Sequence, residues 1–362
     1  MPSTIPPRPA DAFDVDALRA WIARSAPQLI PADAQVTVRQ FPGGFSNLTF
    51  LLLVESKAAS GGLVLRRPPR GARAAHAHDM GREHDILSAL HPLGVPVAKP
   101  LVRCDDESVI GAPFYIMEHV DGIILRGEVP PELSGDPTVQ RVQLEQLSAT
   151  FVRTLAGLHA VDVSAGPLHG LARTGSYAER QTRGWTARWE ASRTEAVPDI
   201  DGIAEWLRSH LPREQAPALV HNDFKFDNLV LDPHDFTRVA AILDWEMATV
   251  GDPLMDLGTS LAYWVEADDP PVFRSLGLGV TALPGNATRA ELVRMYAAAT
   301  GRDTSDTLFC YVFGIFKVAV IAQQIYARFA KGDAADQRFA RLGTVVEAFG
   351  KHGQRAIAAG TL

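Results

Sequence analysis

Apolar residues in the first 120 positions recur in two rhythms. Leu18, Trp21 and Ile22 step by three and one within residues 14–26, which predicts a short helix closed by Pro27 and Pro31. Residues 36–40, 48–55 and 63–67 are short runs rich in Val, Leu and Phe and predict three strands. Pro42-Gly43-Gly44-Phe45-Ser46-Asn47 joins the first two, and Pro68-Pro69 stops the third. A helix over 79–90 follows, with Ile86, Leu87 and Leu90 apolar, then strands near 97–103 and 114–118. Beyond Asp121-Gly122 the rhythm changes. Leu144, Leu147, Phe151, Leu155 and Leu158 mark one buried helix face. Residues 177–193 and 200–210 predict further helices, and strand-like runs return only at 218–220, 229–231 and 239–243. From Arg289 the pattern is mostly helical, with an apolar core segment around 311–327. The expectation is an α+β chain with three parts: an N-terminal helical extension over 1–35, a sheet-rich lobe over 36–120, and a larger helical lobe over 121–362.

Composition narrows the class. At about 150 residues per domain, 362 residues suit two lobes. A hydrophobic share of 46% with 21% charged residues argues against a disordered or coiled-coil chain. The net charge of −7 disfavours a protein that lives on nucleic-acid backbone contacts. Two distant cysteines, Cys104 and Cys310, make neither a disulfide framework nor a zinc ribbon. The first residues lack the apolar run of a signal peptide. The stretches 48–54 and 311–322, the latter interrupted by Lys317, are too short to span a bilayer. A cytoplasmic protein with neither a nucleic-acid nor a membrane partner is expected.

The densest polar cluster lies between short apolar strands. His221-x-Asp223-x-Lys225-x-x-Asn228 is followed 244 − 223 = 21 positions later by Asp244 at a strand end. Phosphoryl transfer needs such parts: one carboxylate to orient a hydroxyl and take its proton, a second carboxylate and an amide oxygen to hold magnesium, and a cation against developing charge. Asp223 and Lys225 fit the catalytic roles. Asn228 and Asp244 fit the metal, because magnesium prefers hard oxygen donors.

These motifs, with Leu243-Asp244-Trp245-Glu246, resemble the catalytic and metal-binding loops of the kinase-like fold, and within it the aminoglycoside phosphotransferase and choline kinase group. The resemblance covers about residues 41–259 and implies ATP and Mg2+ as cofactors. It implies a phosphate-covering loop at Gly43-Gly44-Phe45-Ser46-Asn47, with Gly44, Ser46 and Asn47 in contact, although the full G-x-G-x-x-G pattern is missing. Val64-Leu65-Arg66 matches the strand that presents a cation to the phosphates. Period-two alternation lets only one of Arg66 and Arg67 point into the site, and Arg66 is chosen. Glu83 matches the helix glutamate that pairs with this cation. Met117-Glu118-His119-Val120 matches the hinge, where backbone groups of Glu118 and Val120 would bind adenine. Trp-Glu after Asp244 replaces the Phe-Gly of regulated protein kinases, and no A-P-E motif follows, so the expected enzyme is a small-molecule kinase.

Other residues read more plainly. His221 suits a structural role, His159 suits helix packing, and Asp256 suits a hydrogen bond to the catalytic loop or a helix terminus. Glu246 stands between support of the metal and the surface. His76 and His78 suit a polar surface. For the acceptor, Leu65-Arg66-Arg67-Pro68-Pro69, Arg82-Glu83 and Ser176-Tyr177-x-x-Arg180-Gln181 with Trp185 resemble the phosphotransferase domains fused to some acyl-CoA dehydrogenases. That resemblance implies a hydroxyacyl-CoA substrate, an acyl-CoA dehydrogenase partner expected as a separate protein, and a substrate surface at Arg180, Arg183 and Trp185. An aminoglycoside phosphotransferase and a non-catalytic nucleotide-binding pseudokinase are the rival readings; carboxylates such as Glu266, Asp268 and Asp269 would suit the first.

Overall fold

Asp14 accepts a hydrogen bond from the Ala17 amide at 2.9 Å and caps α1 (Val15–Ser25). The helix is followed by β1 (Gln35–Gln40), β2 (Leu48–Glu55) and β3 (Ser60–Arg67), then α2 (Met80–Leu90), β4 (Pro100–Cys104) and β5 (Phe114–Glu118). This is a computed structural model, and it describes residues 4–42, 47–57, 60–69, 79–126, 130, 133, 135–164, 166–274, 279–332 and 337–362. The expected contacts Gly44 and Ser46, and also His76 and His78, lie outside the described residues.

The chain forms two units. The first joins Met1–Asp121 to Ala240–Met247, and the second joins Gly122–Val239 to Ala248–Leu362. The first unit is built on a five-stranded antiparallel sheet in the order β1-β2-β3-β5-β4. Alternation gives the sheet two faces. Phe50, Leu52, Leu65, Phe114 and Ile116 pack with Leu18 and Ile22 of α1. Trp21 meets Phe114 edge-on at 5.1 Å. Full burial of an aliphatic side chain stabilises by roughly 1.5–3 kcal/mol, so α1 belongs to this core. Residues 1–35 are therefore not a separate extension: an apolar stripe needs a partner, and the sheet supplies it. Glu83 of α2 reaches Tyr115 and Arg66, which alternate with the α1-facing residues.

The second unit contains α3 (Pro137–His159), α4 (Gly166–His169), α5 (Tyr177–Ser192), α6 (Pro198–Ser209), β6 (Ala218–Val220) and β7 (Leu229–Leu231). β8 (Val239–Ile242) carries the chain back into the first unit. Then follow β9 (Thr249–Gly251), α7 (Pro253–Tyr263), α8 (Pro271–Phe273), α9 (Arg289–Thr300), α10 (Thr307–Ala330) and α11 (Leu342–Ala359). β6 pairs antiparallel with β9, Leu219 opposite Val250. α10 is longer than the expected 311–327 segment. By length and composition its 24 residues could cross a membrane, contrary to the shorter stretch read from sequence, yet most of it is buried among α5, α6, α7 and α11. Gly258 of α7 and Gly314 of α10 let these helices meet backbone to backbone: a Cβ on Gly258 would collide with the Cys310 carbonyl, and one on Gly314 with the Gly258 carbonyl.

Candidate active site

In the second unit, the loop after β6 spells out its own geometry. Phe224 and Phe226 are buried, their rings 4.8 and 5.1 Å from Phe151 of α3, and Phe226 lies 5.5 Å from Trp264. The alternating residues Asp223 and Lys225 are thereby turned away from that core. Lys225 Nζ donates to both carboxylate oxygens of Asp223, at 2.9 and 2.7 Å. Asn228 Nδ2 donates to the Asp223 carboxylate and to its backbone carbonyl, each at 2.9 Å. The Tyr263 ring lies 4.5 Å from Lys225 Nζ. Burial alone would raise the Asp223 carboxyl, but the Lys225 ammonium, with His221 and Lys317 beyond it, holds it below the usual carboxylate range. The arrangement keeps a carboxylate ionised and fixed, as a group that must orient a hydroxyl requires.

The loop is held from behind. Asp256 of α7 is fully buried and accepts from the amides of His221 and Asn222, each at 2.7 Å, while His159 Nε2 lies 3.1 Å from it. His159 Nδ1 in turn meets the Tyr296 hydroxyl at 2.7 Å. Burial works against the charge of Asp256, and the hydrogen bond and charge of His159, with His221, hold its carboxyl below the ordinary range. His221 Nδ1 accepts from the Asp223 amide at 3.2 Å, so this histidine braces the loop. Asn222 has φ 66, a left-handed conformation that non-glycine residues enter at a cost. The expected loop-holding roles of Asp256 and His221 match these contacts, whereas His159 does more than pack.

The first unit assembles the residues expected for the nucleotide. Arg66 Nε lies 3.0 Å from Glu83 Oε2, and Arg66 Nη2 lies 3.1 Å from Asp244 Oδ1. Burial disfavours its charge, but Glu83, and after it Asp244 and Glu246, raise its pKa well above the ordinary value. Arg67 points to the opposite face: wholly buried, it lies 5.5 and 5.6 Å from the Phe13 and Phe50 rings and donates to the Asp11 carbonyl. Asn47 is buried and donates to Glu83 at 2.9 Å and to Glu246 at 3.1 Å. Its side chain thus cross-links two carboxylates. Arg82 adds a bond to the Glu246 carbonyl at 2.9 Å. Glu246, left open by the sequence, supports this cluster. Asp244 has φ 65, and the Trp245 indole donates to the Ile242 carbonyl at 2.9 Å, which fastens the turn after β8. The Glu118 amide is committed to the Lys99 carbonyl at 2.9 Å, and its side chain is exposed. Val120 follows two residues after β5, half-buried.

The proposed acceptor residues do not form one surface. Trp185 is only 5% exposed and offers no stacking face, because it is packed beneath Arg188, whose guanidinium lies 4.7 Å from its ring. Arg180 donates to the carbonyls of Thr174 and Gly175. Arg183 is exposed and loosely paired with Glu179 at 3.9 Å. A crevice beside Lys225 is lined instead by Leu125, Phe151, Phe226, Tyr263, Trp264 and Val280, among others. Sequence periodicity marks these as core positions and gives no sign that they border Lys225.

The APH model, the phosphotransferase enzyme family, matches residues 37–301. The chain belongs to this family. The matched span carries both clusters described above. Mouse acyl-CoA dehydrogenase family member 10 is 35% identical over 349 residues, 96% of this chain and 31% of the mouse protein. The chain thus spans about a third of that relative's length. A provisionally assigned aminoglycoside phosphotransferase of Ralstonia eutropha is 32% identical, with a TM-score of 0.77 over 95% of this chain and 98% of that one. Choline kinase from Cryptosporidium parvum, 10% identical, superposes with a TM-score of 0.63 over 96% and 97% of the two chains. These likenesses give the α+β kinase-like fold that the resemblance of the motifs at residues 221–228 and 243–246 implies.

Proposed function

We propose that this phosphotransferase moves the γ-phosphoryl group of ATP, with Mg2+, to a hydroxyl of a small acyl-bearing acceptor, a hydroxyacyl-CoA. The observation that carries the reading is the Asp223–Lys225–Asn228 cluster, a carboxylate held ionised by an ammonium and an amide. In this reading Asp223 accepts the hydrogen bond of the acceptor hydroxyl, aligns its oxygen and receives its proton as the bond from that oxygen to the γ-phosphorus forms and the bond from the γ-phosphorus to the β-phosphate oxygen breaks, with ADP leaving. Lys225 then compensates the charge that grows on the transferred group. In the first unit Arg66 meets the phosphates, held straight by Glu83. Magnesium, when bound, neutralises the phosphate oxygens; it needs hard oxygen donors and only one or two protein carboxylates. Asp244 suits that demand, since it gives Arg66 its Oδ1 and stays 36% exposed, and Asn228 supplies an amide oxygen.

One observation weighs against a polycationic acceptor. Two carboxylates that an aminoglycoside would want are already engaged: Glu266 and Asp269 both pair with the buried Arg289. The similarity to acyl-CoA dehydrogenase family members points the same way, and a dehydrogenase acting on the same acyl-CoA would be the partner in the reaction sequence. The test is ATP turnover with a series of hydroxyacyl-CoAs against kanamycin-type aminoglycosides and choline. Turnover with the acyl-CoA series is expected; turnover confined to aminoglycosides or choline would overturn the assignment.

A further inference from the structure

Among the buried residues of α10, Lys317 is the one that carries a charge, and it is 1% exposed. Lysines are almost never fully buried unless paired, yet Lys317 makes no ion pair with a described residue. Its Nζ donates instead to the backbone carbonyl of Asn222, and lies 5.6 Å from the Trp185 ring. Asn222 is the left-handed residue that immediately precedes Asp223. Its other groups are also held: the amide by Asp256 Oδ1 at 2.7 Å and the side-chain oxygen by the Tyr177 hydroxyl at 2.9 Å. Three elements, α5, α7 and α10, therefore converge on one strained peptide, and only α10 brings a cation.

We infer that Lys317 is a positioning residue for phosphoryl transfer: from behind the loop its ammonium fixes the Asn222 carbonyl, and so the left-handed turn that aims the Asp223 carboxylate. A cation kept among apolar side chains costs stability. The return is a backbone bond at the one loop residue whose conformation sets the direction of Asp223. The inference rests on the phosphotransfer reading above.

The electrostatic setting gives the test a second readout. Burial lowers Lys317 from its ordinary value of 10.5 to about 8, against the attraction of Asp223 and Asp256 and together with the repulsion of Lys225 and Arg188. The folded state then binds fewer protons than the unfolded state between these values, so wild-type stability rises with pH through that window. A Lys317→Met chain lacks this rise.

The experiment compares wild type, Lys317→Met and Lys317→Gln by ADP formation from ATP and a hydroxyacyl-CoA, by amide hydrogen exchange over residues 221–224, and by urea unfolding at several pH values. The expected result at pH 7 is a kcat loss of about 10- to 100-fold, the scale of a small misplacement of a reacting group, with the KM for ATP unchanged. Faster exchange in the loop and a midpoint no lower than that of wild type should accompany it. A variant with wild-type kcat and loop protection would overturn the inference, and so would a kcat loss matched by a general loss of stability in both variants. Absence of turnover in wild type would instead count against the phosphotransfer reading, and loop exchange would still decide the role of Lys317.

Discussion

Asp223 and Lys225 form so close a pair that neither can be read alone. Asp223→Asn keeps the shape of the side chain but loses the charge that fixes Lys225 and takes the proton. Removal of a general base costs about 10²- to 10⁴-fold in rate, so kcat should fall by that order while calorimetry shows unchanged nucleotide affinity. The two arginines of β3 separate activity from stability. Arg66→Ala should weaken ATP binding and turnover, because it removes the cation beside Glu83 and Asp244. Arg67→Ala should lower the unfolding midpoint with little effect on ATP affinity, because Arg67 fills the space by Phe13 and Phe50. Equal effects on nucleotide affinity would sink the assignment. At this scale much was legible: alternation sends neighbouring strand residues to opposite faces, whichever one is functional. Asn47 was legible only as a contact of the phosphate-covering loop; that it donates to Glu83 and Glu246 was not, since only the fold brings those carboxylates to it.

At the scale of elements, the loop after β6 depends on α7 and α3. Asp256 is reached by His159 from α3 and by two loop amides, all without solvent. Asp256→Asn takes a carboxylate oxygen from the buried amides of His221 and Asn222, and a buried group left without its partner costs about 1–3 kcal/mol, so stability should fall by that order, measured by urea unfolding, and kcat with it. The sign with pH follows from the lowered carboxyl. The stability it contributes is present above the unfolded value of about 3.9 and is lost as pH falls through the folded value. The acid limb of the stability curve should therefore be shallower in the variant than in wild type; an unchanged acid limb would contradict the role given to Asp256. Helix and strand positions were readable from their periods, but α10 was not readable in full. Its lone Lys317 was visible as an interruption of an apolar run, which is the one signal a buried functional lysine leaves in a sequence.

At the scale of the molecule, chain order and unit membership part company. Asp244 follows Asp223 by 21 positions, yet it folds with the first unit, beside Arg66 and Glu83. Residues 1–35 also join that unit, because the stripe of α1 fits the sheet face that α2 leaves uncovered. A division of the chain by changes of rhythm cannot see a short segment such as Ala240–Met247 cross back, since eight residues have no rhythm of their own. The proposed reaction needs both a phosphate-binding set and a hydroxyl-directing set. The direct measurement is 31P NMR of ATP with a hydroxyacyl-CoA in the presence of wild type, Asp223→Asn or Asp244→Ala, with and without magnesium. The account predicts a phosphomonoester on the acyl hydroxyl with wild type and magnesium only, Mg-ATP binding without ester for Asp223→Asn, and loss of both for Asp244→Ala. Ester formation by Asp223→Asn at the wild-type rate would contradict it.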